Sequence, residues 1–89
     1  MILAAILAAS AVITPYQEAA YVAGRCRPWM TTFVQAETEK SMDGIGGDLR
    51  EWYAQGIKDT LREPLSAETC ERAMANARKR IDEQRNTAR

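Results

Sequence analysis

Small and apolar residues recur at helical spacing in four stretches. The clearest runs from Asp48 to Leu61, where Leu49, Trp52, Tyr53, Gly56, Ile57 and Thr60 fall on one side of a 3.6-residue period. This predicts a central core helix, with Asp48 at the N-cap and Glu51 at the capping-box position three residues on. Upstream, Thr14 followed by Pro15 and Gln17 predicts a capped helix with Tyr16, Ala19, Ala20 and Ala23 on one face, interrupted by Gly24 and the Arg27-Pro28 step. Pro28 is then expected to open a second helix to about Lys40, whose stripe of Trp29, Met30, Phe33 and Ala36 meets Trp52. Residues 41–47 carry glycine at positions 44, 46 and 47 and read as the main flexible loop; the strand and the GK[ST] that a phosphate cradle needs are missing.

Glu63-Pro64 closes the central helix, and Ser66 caps a last one, with Leu65 placed to staple onto Cys70. The buried stripe of this last helix is Cys70, Ala73, Met74, Ala77 and Ile81. Its outer face pairs Glu68 with Arg72, Arg78 with Asp82 and Lys79 with Glu83 at i,i+4 spacing. Beyond Gln84 the chain is polar and is expected to fray. Gly56, a glycine on an apolar helix face, predicts close approach by a bulky neighbour, Trp29 or Phe33.

The stretch Met1 to Ile13 is apolar apart from Ser10, too short to span a bilayer and of the length of a signal-peptide core. Ala9-Ser10-Ala11 supplies small residues for cleavage, with Ala8-Ala9-Ser10 as a second site. The division expected is therefore residues 1–11 as signal peptide and 12–89 as one helical domain. The chain has 89 residues, which allows a single core. If the leader is retained, the protein is instead a membrane-anchored accessory protein.

Export changes the reading of the two cysteines, since disulfides persist in oxidising compartments. Cys26 and Cys70 permit one intramolecular bridge across the central helix, worth ~4 kcal/mol for a loop of about 45 residues. Free or intermolecular thiols are the alternative. A redox pair or a metal site lacks both a CxxC and a histidine. The fold class that follows is all-α, a small bundle of three to four helices tied by one disulfide and preceded by a signal peptide.

Lys plus Arg and Asp plus Glu number 12 each, so the positive field that nucleic-acid binding requires is missing. Histidine is absent, which removes the commonest general base and metal ligand. Ser41, Ser66 and the threonines have no such partner, and Glu37 and Glu39 point to different sides of a helix. The reading is a non-enzymatic domain with no cofactor, no metal and no evident small-molecule substrate. Its partner is another protein or unfolded clients, and its oligomeric state is left open. Candidate protein-binding residues are Trp29, Phe33 and Trp52, with the basic run Arg78, Lys79 and Arg80.

The leader, the run Cys26-Arg27-Pro28-Trp29-Met30, a glycine-containing middle helix and Pro64 shortly before Cys70 together resemble, in outline, the HdeA-type acid-stress chaperones of the bacterial periplasm. The resemblance implies an all-helical protein with one disulfide that opens in acid and shields unfolding clients. The carboxy-terminal stretch departs from the lysine-rich character of that family. The competing expectation is a dedicated binding module, such as an exported inhibitor, an immunity protein or an envelope-complex subunit.

Overall fold

A computed structural model describes residues 13–87. The predicted leader and its cleavage sites therefore lie outside the described residues. Four α-helices follow in order: α1 (Pro15–Arg25), α2 (Thr32–Ile45), α3 (Leu49–Arg62) and α4 (Ala67–Thr87), with a 3-10 turn at Arg27–Trp29 between the first two. No strand occurs among the described residues.

α1 begins as its residues dictate. The Thr14 hydroxyl accepts the Gln17 backbone N–H at 3.1 Å, and the Gln17 side chain returns to accept the Thr14 N–H at 2.9 Å, with Pro15 in the first turn. The helix continues through Gly24, which is buried and does not interrupt it. α3 runs parallel to α1: Gln17 reaches Asp48 at one end, and Thr60 reaches the carbonyl of Arg25 at the other. The spaced set Leu49, Tyr53, Gly56 and Thr60 is the buried face of α3. α4 runs antiparallel to α1, from Cys70 bonded to Cys26 to Arg80 paired with Glu18. The disulfide joins α-carbons 5.6 Å apart.

Three local expectations are corrected. The second helix starts not at Pro28 but at Thr32: the chain first makes the 3-10 turn after Cys26, and the Thr31 hydroxyl then caps α2 by accepting the Val34 N–H at 3.2 Å. The 41–47 stretch is not a loop, since α2 runs on to Ile45. Met42 is buried, offsetting the ~1 kcal/mol that Gly44 costs in a helix. Among the described residues only Gly46 and Gly47 take positive φ, at 85° and 73°, and Gly46 forms the C-cap of α2. At the carboxy terminus the helix persists to Thr87, whose hydroxyl donates to the Glu83 carbonyl at 2.9 Å.

The core is Ala20, Ala23, Met42, Leu49 and Tyr53, with Tyr16, Met30, Trp52 and Ile57 packed on its edge. α1 is central to the bundle and packs on both α3 and α4, whereas α2 attaches chiefly to α3.

Candidate functional site

Of the exposed large apolar side chains, Trp29, Phe33 and Val34 lie around the 3-10 turn and the first turn of α2, while Ile45 and Leu61 lie in the last turns of α2 and α3. Trp29 is 59% and Phe33 71% exposed, and Val34 beside them is also exposed. The reason is local. Once the turn after Cys26 delays the helix, Trp29 and Phe33 no longer share one helical stripe, and Met30 alone of that run packs against the core. Trp29 is nevertheless fixed, because its indole N–H donates to the Leu65 carbonyl at 2.9 Å across the segment joining α3 to α4. The expected packing of this aromatic face on Trp52 is not formed. Trp52 sits in the first turn of α3, half-buried, with its indole N–H donating to Asp48 at 3.2 Å. Trp29 and Trp52 therefore do not line a common site.

Asp48 precedes α3 as expected, but its carboxylate does not cap the helix. It accepts instead from the Gln17 amide at 3.0 Å and from Trp52, and these bonds, Gln17 first, hold its carboxyl below the usual range.

A second polar cluster fastens α2 to α3. The Tyr53 ring is buried, and its hydroxyl donates to Glu39 at 2.8 Å while accepting from the Arg27 guanidinium at 3.0 Å. Glu39 also lies 3.3 Å from Arg50, which in turn pairs with Asp43 at 2.9 Å. The Tyr53 hydrogen bond, supported by Arg50 and Arg27, lowers the Glu39 pKa; burial, reinforced by the carboxylate it faces, raises that of Tyr53. Met42 is the one buried residue of α2, so this helix is held largely by carboxylates.

A third cluster ties α1 to the far end of α3. The Tyr21 hydroxyl donates to Asp59 at 2.5 Å, and Arg25 donates to the Thr60 hydroxyl at 3.2 Å and to the Glu63 carbonyl at 2.7 Å. The Tyr21 hydrogen bond, first among its partners, lowers the Asp59 pKa, and burial raises that of Tyr21. Every donor of Arg25 that bonds here is spent on the protein's own groups, which makes this cluster a structural lock.

The basic run on α4 divides. Arg80 is paired with Glu18 of α1, whereas Arg78 and Lys79 form no ion pair among the described residues. The three i,i+4 pairs expected along α4 are not made. The pair that does form on this helix is Arg85 with Asp82, at 4.0 Å and i,i+3 spacing. Arg80 is drawn off the helix surface because Glu18 lies across the α1–α4 contact, a partner that local spacing does not reveal.

Among the described residues no group of three or more acidic, histidine or cysteine side chains is placed to hold a metal. No buried side-chain polar atom there lacks a hydrogen-bond partner. None of the described helices is long and apolar enough to cross a membrane. Comparison with family models, curated proteins and solved structures gives no match.

Proposed function

We propose that the mature chain is a small exported, non-enzymatic protein-binding domain that presents Trp29 and Phe33 to a protein partner. The observation that carries this reading is the exposure of both rings on a frame that does not need them for its own core. Aromatic anchors of this kind dominate binding energy at protein interfaces. Trp29 is already held by Leu65, so less freedom is lost when it is covered. Arg78 and Lys79 add unpaired positive charge elsewhere on the surface. The disulfide is compatible with an oxidising compartment and supports export.

The test is a photo-crosslinking amino acid at Phe33 in cells that export the protein, with Lys58, exposed on α3, as the control position. A discrete crosslinked species from position 33 and none from 58 is expected. The reading fails if the two positions crosslink equally or if neither does.

A second reading, an acid-stress chaperone of the HdeA type, is favoured by the way α2 is fastened. Protonation of Glu39 and Asp43 removes its ionic attachments and leaves Met42 as its buried anchor. The measurement is aggregation of an unrelated protein at about pH 2 to 3 and at neutrality, with and without a several-fold molar excess of this one. Suppression confined to acid supports the chaperone; no suppression at either pH leaves the dedicated binding module.

A further inference from the structure

α2 and α4 flank α1 while barely touching one another, and the space between them is an apolar cleft in two adjoining lobes. The larger lobe, about 310 Å³, runs past Tyr16, Met42 and Leu49. The smaller, about 190 Å³, runs past Val22 and Met74. Thr38 of α2, Arg78 and Ile81 of α4, and Ala19 and Ala23 of α1 line both, so the two lobes adjoin along these residues.

Among the described residues Arg78 is the sole charged residue in either lining, and it forms no ion pair there. Asp82, one turn further on, is engaged by Arg85. An exposed guanidinium with no ion-pair partner, in the lining of a mostly apolar slot that also carries the Thr38 hydroxyl, is suited to an anionic group on an aliphatic chain. The size of the slot selects among such ligands: lobes of about 310 and 190 Å³ are on the scale of a small-molecule site, which a single alkyl chain can fill.

We propose that the cleft binds one single-chain anionic amphiphile, a long-chain carboxylate, with its head group on Arg78 and Thr38 and its tail in the lobe beside Met42 and Leu49. The binding is independent of the aromatic patch at Trp29 and Phe33.

The test is titration of the full chain with laurate below its micelle-forming concentration, followed by calorimetry and by the Met42 methyl signal in NMR. Dodecyltrimethylammonium, with the same tail and the opposite charge, is the control. Expected results are saturable one-to-one binding of laurate, a shift of the Met42 methyl and much weaker binding of the cation. Arg78→Gln should weaken laurate about tenfold or more, while Arg78→Lys retains most of the affinity. Thr38→Trp, which fills the junction of the lobes, should abolish binding with the far-UV circular dichroism unchanged. If Thr38→Trp misfolds, the Arg78 pair decides alone. The proposal is overturned by an absence of saturable laurate binding, by equal affinity in Arg78→Gln, or by equal binding of the cation, which would mean adsorption through the tail alone. A Leu- and Glu-containing model helix that shifts the Met42 methyl where laurate does not would assign the cleft to a protein partner and likewise overturn it.

Discussion

Gly24 in α1 and Gly56 in α3 face each other where the two helices cross, and a β-carbon on either would stand 3.0 Å from the α-carbon of the other. Each added carbon would also meet a carbonyl oxygen, that of Tyr53 for Gly24 and that of Tyr21 for Gly56. These are backbone atoms and cannot swing aside. The contact expected of Gly56 with Trp29 or Phe33 is therefore replaced by glycine against glycine, the closest approach two helices make.

Gly56→Ala should consequently destabilise the fold by about 2–3 kcal/mol through overpacking, although alanine gains ~1 kcal/mol of helix propensity. Gly24→Ala should act in the same direction, and Gly56→Leu should be worse. Urea unfolding monitored by far-UV circular dichroism checks this; an alanine variant as stable as the parent would mean that the helices do not cross here.

The disulfide joins the start of α4 to the end of α1, and both of its sulfurs are buried. Replacing Cys26 and Cys70 together by alanine removes the clasp without leaving a free thiol. Loss of ~4 kcal/mol is expected from the chain-entropy model, which in a domain of this size lowers Tm by tens of degrees. Calorimetry of the double variant gives the value directly, and an unchanged Tm would remove the bridge from the account of stability.

Trp29 and Phe33 should behave in the opposite manner. Because Phe33 lies in solvent, Phe33→Asp should change unfolding free energy by no more than about 0.5 kcal/mol. Trp29→Ala should cost about 1 kcal/mol, the worth of the lost hydrogen bond to Leu65. A much larger loss at Phe33 would show that the ring is part of a core and not a docking surface.

How far the sequence foretold the molecule depends on the range of the interaction. The 3.6-residue period from Leu49 to Thr60 is local, and it identifies the buried face of α3. The Thr14–Gln17 capping box is equally local and is formed. The start of α2 differs from the expected one because Pro28 opens a 3-10 turn as readily as a helix, whereas Thr31 carries the signal for the true cap. Glycine content at residues 41–47 points to a loop, but the burial of Met42 keeps the segment helical as far as Ile45. The links that organise the surface, Glu39 to Tyr53, Asp59 to Tyr21 and Glu18 to Arg80, join residues on different helices and leave no periodic trace. For the same reason the Gly24–Gly56 contact is invisible until both helices are placed.

Those cross-helix links also fix the pH response. Glu39, Asp48 and Asp59 have folded-state pKa values below their ordinary ones, each led by a hydrogen bond from Tyr53, Gln17 and Tyr21 respectively. A carboxyl whose pKa is depressed on folding contributes stability that is fully present above its unfolded value, about 4, and is lost as pH falls through the folded value. Tyr21 and Tyr53 have raised pKa values, chiefly through burial, so their contribution is present below about pH 10 and is lost as pH rises through the folded values. Stability should therefore form a plateau between about pH 5 and pH 10, falling on both sides. Acid adds a general effect, since protonating the 12 carboxylates leaves 12 positive side chains on a small domain. The specific and general parts separate in Glu39→Gln, which removes one titrating group from the α2–α3 junction while leaving an amide that can still accept the Tyr53 hydrogen bond. Its acid limb should be shallower than that of the parent when unfolding free energy is measured by urea titration from pH 2 to pH 7, and α2 should exchange its amide hydrogens with a weaker dependence on pH. Coincident acid limbs for the two proteins would show that repulsion among the positive charges, and not the junction at Glu39, opens the bundle.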